Sequence, residues 1–75
     1  MGKRKKIKIK QLGPQGHTTW LAPISEAFEV LSTAISKGKF IYVEPRNYII
    51  DNIPKLRGDL YQIECAVIIP RVAGG

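Results

Sequence analysis

Val67-Ile68-Ile69-Pro70-Arg71-Val72-Ala73-Gly74-Gly75 starts as an apolar strand and ends in two glycines. Three β-branched residues in a row suit a strand buried inside a sheet. Pro70 has no N–H to give to a ladder, so pairing is expected to stop near Ile69. Upstream, Leu60 to Ile69 reads as one long last strand. Its alternation assigns Tyr61, Ile63, Cys65, Val67 and Ile69 to the core face. Leu60, Gln62, Glu64, Ala66 and Ile68 fall on the other. The chain is therefore expected to divide into a folded domain, 1–69, and a flexible tail, 70–75.

The rest of the chain supplies partners for that strand. Lys6-Ile7-Lys8-Ile9-Lys10 alternates with period two, as a strand with one buried face does. Gly13-Pro14 and Gly16 turn the chain, and His17-Thr18-Thr19-Trp20-Leu21 returns as the second arm of a hairpin. Ala22-Pro23 stops it. A helix follows, with Ser25 as N-cap and Glu26 and Glu29 near its positive end. Ile24, Phe28, Leu31 and Ile35 form its apolar row, widened by Ala27, Val30 and Ala34, and Lys37-Gly38 ends it. Lys39–Glu44 is apolar on both faces and reads as a central strand. Pro45-Arg46-Asn47 turns into a short edge strand, Tyr48–Asp51. Asn52–Asp59, with Pro54 and Gly58, reads as a loop holding at most one turn of 3-10 helix.

The order is β-β-α-β-β-β, an α+β chain with a mixed sheet of four to five strands and one helix packed across one face. A right-handed crossover places the third strand near the first hairpin, and the last strand lies parallel to Lys6–Lys10 in the middle. This arrangement is the β-grasp, which ubiquitin and its relatives use.

Seventy-five residues with one cysteine exclude an internal disulfide, so the core must come from apolar packing. No membrane span or signal-peptide core is present, which points to a cytoplasmic monomer. The net charge of +6 is unevenly placed. Lys3, Arg4, Lys5, Lys6, Lys8 and Lys10 crowd the first ten residues without an acid, while the other six cations balance the six acids. Such a cluster can bind nucleic acid or acidic protein surfaces. The reading preferred at this level is a solvated strand face, with nucleic acid a partner not favoured. His17 has no second ligand nearby in sequence, and Cys65 reads as a small buried hydrophobe. No acid/base pair, nucleophile–base pair, phosphate loop or metal cluster can be assembled, so an enzyme is not expected.

The tail carries chemistry of another kind. Val72 and Ala73 are small and Gly74 and Gly75 have no side chain, so the segment can thread a narrow channel and deliver a carboxylate. Glycine at the reacting carbon leaves the carbonyl open to attack. Ile68-Ile69-Pro70-Arg71-Val72-Ala73-Gly74-Gly75 resembles the ending of the MoaD and ThiS sulfur carriers, and Gly58-Asp59 is similar to the Asp-Gly-Asp turn ahead of their last strand. Arg71 matches by position an arginine in the tail of ubiquitin, where Ala73 replaces a second one.

The resemblance implies two chemistries. In a ubiquitin-like modifier, an activating enzyme adenylates Gly75 with ATP, holds it as a thioester and passes it to a target amine. In a sulfur carrier, the same adenylate becomes a thiocarboxylate. In either case Gly75 forms the bond and Gly74 gives access, while Arg71, Val72 and Ala73 are read by the activating enzyme. ATP is used by that partner, and no cofactor is bound by this chain. A modifier would also meet a conjugating enzyme, an isopeptidase and target proteins. Ala66 and Ile68, assigned to the sheet face opposite the helix, are the candidate docking surface.

Overall fold

The first hairpin follows from its alternation. In the computed structural model, which describes residues 5–13 and 16–70, β1 runs Lys6–Gly13 and β2 runs Gly16–Pro23. They pair antiparallel from Lys6 opposite Pro23 to Gly13 opposite Gly16. Both strands are longer than the alternating cores that announce them. Ile7 and Ile9 are fully buried, while Lys6 and Lys8 stand in solvent. Gly16 has φ +130°, a conformation that a side chain would strain.

Helix α1, Ile24–Ser36, lies across one face. Its N-cap is Pro23, which offers no side-chain hydrogen bond, so Ser25 sits exposed in the first turn instead of capping it. Ala27, Leu31 and Ala34 are the buried row, with Ile24, Phe28, Val30 and Ile35 packed along its flanks. The small alanines sit nearest the sheet because they let the helix approach it closely, and the larger side chains close the sides. The helix ends where the sequence says it should. Gly38 takes φ +86°, its N–H donates to the Ile35 carbonyl at 2.9 Å, and Lys39 N–H donates to Ala34 O at 3.0 Å. This is a Schellman ending, in which the residue after the cap must be left-handed.

Strand β3, Phe40–Glu44, pairs antiparallel with β4, Tyr48–Ile50. Asn47 at the turn has φ 59°, which asparagine tolerates better than most residues. The stretch expected as a loop then forms a second helix, α2, Ile53–Asp59. Asn52 caps it, its Oδ1 accepting from Lys55 N–H at 2.9 Å, and Pro54 sits in the first turn, where its missing N–H costs nothing. A 3-10 turn, Leu60–Gln62, continues from it, and only then does strand β5, Cys65–Ile69, begin.

The five strands form one sheet in the order β2-β1-β5-β3-β4. β1 and β5 are parallel, and the other neighbours are antiparallel. The last strand is central, as expected, and the topology is the β-grasp: a mixed sheet with a helix packed across one face.

The length and phase of β5 differ from expectation. Leu60–Glu64 is not extended, and Tyr61 is 71% exposed instead of facing the core. With β5 starting at Cys65, the residues turned toward α1 are Ala66 and Ile68, at 0% and 3% exposure, in one cluster with Ile7, Ile9, Leu31, Ile41 and Val43. Cys65, Val67 and Ile69 belong to the opposite face. A strand has period two, so a shift of one in phase exchanges every side chain between core and surface. Cys65 is accordingly half-buried, not a core residue.

Candidate functional site

Two regions carry the features singled out in the sequence: the end of β5 and the open face of the sheet. β5 ends at Ile69, and Pro70 is exposed beyond it. Its neighbours there are the start of β3, with Phe40 opposite Ile69, and the far half of β1, with Gln11 opposite Ile68. The tail residues Arg71, Val72, Ala73, Gly74 and Gly75 lie outside the described residues, as do Lys3, Arg4 and Pro14.

Ala66 and Ile68 are not a docking surface. Both are buried under α1, and the exposed positions of the sheet are their neighbours in phase. On the open face the cross-strand register builds rows. One row reads Thr19, Lys10, Val67, Tyr42 and Ile49 from edge to edge. The next reads Leu21, Lys8, Cys65 and Glu44. Phe40 stands beside Ile69 on the same face. Leu21 is 60% exposed and Ile49 52%. Val67 is only 9% exposed yet lies outside the core cluster, between the strands that carry Lys10 and Tyr42. This face was missed in the sequence because Phe40-Ile41-Tyr42-Val43 reads as apolar throughout. The available signal was finer: the aromatics occupy one parity and the β-branched residues the other.

The titrating groups around the face are quiet. Burial, followed by the Glu44 carboxylate beside it, pushes the Cys65 thiol up, while Lys10 and Lys8 pull weakly the other way. A thiol held protonated is a poor nucleophile. On the α2 side, Tyr48 donates to Asp59 Oδ2 at 2.9 Å, and Lys55 lies 3.5 Å from the same oxygen and over the Tyr48 ring. Burial and then Asp59 raise the Tyr48 pKa. This small network ties α2 to β4. Lys5 Nζ donates to the Tyr61 carbonyl, linking the start of β1 to the 3-10 turn. Arg57 sits over the Phe28 ring and joins α2 to α1. His17 is exposed at the hairpin end of β2. No group of three or more His, Cys, Asp or Glu among the described residues is placed to hold a metal ion. No helix among them is long and apolar enough to cross a membrane.

No protein-family model, curated protein or solved structure matches the chain. What relates it to other proteins is the sheet order, with its parallel central pair and its single crossing helix. That order belongs to the β-grasp superfamily, which includes ubiquitin-like modifiers and sulfur carriers.

Proposed function

We propose that the chain is a ubiquitin-like modifier whose Gly75 carboxylate is activated and transferred to amines of other proteins. The observation that carries this reading is a combination. A β-grasp sheet has its central strand ending at Ile69, and Pro70-Arg71-Val72-Ala73-Gly74-Gly75 follows directly in the sequence. The reaction begins with attack of a Gly75 carboxylate oxygen on the α-phosphorus of ATP, which releases pyrophosphate and leaves an acyl-adenylate. A thiol of the activating enzyme displaces AMP. A target amine then displaces that thiol and forms an isopeptide bond. Gly74 and Gly75 admit the attack, and Arg71, Val72 and Ala73 are the segment that the activating enzyme reads. The partners are that enzyme, a conjugating enzyme, an isopeptidase and the target proteins.

A sulfur carrier is the second reading, favoured by one feature, the similarity of Val72-Ala73-Gly74-Gly75 to sulfur-carrier endings. There a sulfide-equivalent nucleophile, not an enzyme thiol on its way to an amine, displaces AMP and leaves a thiocarboxylate.

Both readings require a free carboxylate on Gly75. The test is expression of the chain with an N-terminal tag in its native host, beside a version lacking Gly75. A modifier gives larger tagged species that survive reduction and boiling and vanish when Gly75 is removed. If the two versions give the same species, the modifier reading fails.

A further inference from the structure

We propose that the open face of the sheet binds single-stranded nucleic acid, with Phe40 and Tyr42 as platforms for bases and Lys6, Lys8 and Lys10 as contacts for phosphates. This surface is separate from the tail chemistry and does not depend on it.

The folding topology makes the juxtaposition. In sequence, the lysine strand and the aromatic strand are some thirty residues apart, and neither alone marks a nucleic-acid site. In the sheet only β5 separates them. Alternation turns Ile7 and Ile9 into the core and Lys6, Lys8 and Lys10 to the open side; the same rule turns Ile41 and Val43 in and Phe40 and Tyr42 out. Two residues along a strand span about 7 Å, so the two rings form a short column of platforms. The lysines form a second column two strand spacings away, about 10 Å, a separation that a nucleotide bridges from base to phosphate. Val67 and Ile69 form the apolar floor between the columns. The Tyr42 hydroxyl donates to Asn47 Oδ1 at 2.7 Å, which holds the ring in one orientation.

Charge is sorted in the same sense. Glu26 and Glu29 are on α1, on the other side of the sheet, and Asp51 and Asp59 flank α2. Glu44, at the end of β3, is the one acid that the register places on the open face among the described residues. A polyanion is therefore the complementary partner. The rings select among polyanions. Bases of a single strand can be splayed and stacked on aromatic side chains, with affinity that tolerates sequence, whereas a duplex hides its base faces. An acidic peptide would use the lysines and leave the ring column without a role.

Fluorescence anisotropy with a short labelled oligo-uridylate tests this, using the whole chain. A hairpin duplex, heparin and polyglutamate serve as competitors. Affinity should fall with salt along a log–log slope of about −2, the value for three phosphates of a single strand. Tyr42→Ala should weaken binding by at least about fivefold without changing that slope, and Tyr42→Phe should retain it. Lys8→Gln, at an exposed position, should reduce the slope by about 0.7. Because Tyr42 is half-buried, an amide NMR spectrum of each variant checks the fold, and titration of the parent should shift β1, β3 and β5 but not α1. Equal competition by duplex or heparin together with an unchanged Tyr42→Ala affinity would reduce the face to a general polycation and overturn the proposal. Displacement by polyglutamate at equal charge would assign the face to an acidic protein and overturn it as well. Removal of Gly75 should leave binding unchanged, which keeps this result distinct from the fate of the tail reading.

Discussion

The two faces of the sheet are written in the same strands and differ in almost every physical respect. Beneath α1, Ile7, Ile9, Ile41, Val43, Ile50, Ala66 and Ile68 are 0–3% exposed. On the open side the same strands carry lysines, Phe40, Tyr42 and a half-buried cysteine. The covered face holds the fold together, since a chain of this length has little other apolar area to bury. The open face contributes less to stability and is left available for recognition. One parity of each strand carries stability and the other carries contact chemistry.

Substitutions at both faces sharpen or break that contrast. The largest effect is expected at Leu31, fully buried on α1. Leu31→Ala should cost about 2–5 kcal/mol and lower the melting temperature by roughly 10–30 °C, measured by circular dichroism. Asn52→Ala comes next. It removes the α2 cap and should cost about 1 kcal/mol, or some 4–8 °C.

Tyr48→Phe tests the link between β4 and α2. Loss of the hydrogen bond to Asp59 should cost about 1 kcal/mol at neutral pH. The pH dependence has a definite sign. Folding raises the Tyr48 pKa above its ordinary value of 10.0, so the native state holds the phenolic proton more tightly. That stabilisation is fully present below the ordinary value and is lost as pH rises through the raised one. Urea midpoints of the parent should therefore fall more steeply above about pH 10 than those of Tyr48→Phe, and parallel curves would contradict the assignment. The smallest effect is expected on the open face. Leu21→Thr, at a site 60% exposed, should change stability by less than about 0.5 kcal/mol. A core-sized loss there would mean that the open face is covered in solution, and the contrast would fail.

Much of this was legible in the sequence, for reasons that can be traced to residues. Lys6–Lys10 alternates cleanly, so the burial of Ile7 and Ile9 followed directly. Gly38 marked the end of α1. The apolar run Ala66–Ile69 made a central last strand the natural reading, and with it the β-grasp. The region between Asn52 and Glu64 was not legible, because Pro54 and Gly58 suggest a loop. Yet Asn52 followed by Pro54 is also a helix start, and Leu56, Leu60 and Ile63 are spaced by four and three, the helical period. All three are buried at 7% exposure or less. Extending the last strand back through that helical segment set its phase wrong. That error alone put Ala66 and Ile68 on the surface and Cys65 in the core. The candidate docking surface was lost with it, and the true open face, Phe40 and Tyr42 with the lysines, emerged only from the cross-strand register. The tail is different again: its reading rests on Arg71–Gly75 as sequence, and no fold can replace a chemical test.

That test is intact-mass and peptide mass spectrometry of the protein purified from its native host. The modifier reading predicts tryptic peptides in which Gly75 is joined through an isopeptide bond to a lysine of another protein. An unconjugated protein about 16 Da heavier at its C-terminus, with oxygen replaced by sulfur, would contradict the modifier and establish the carrier. A Gly75 found only as an unmodified residue would contradict both.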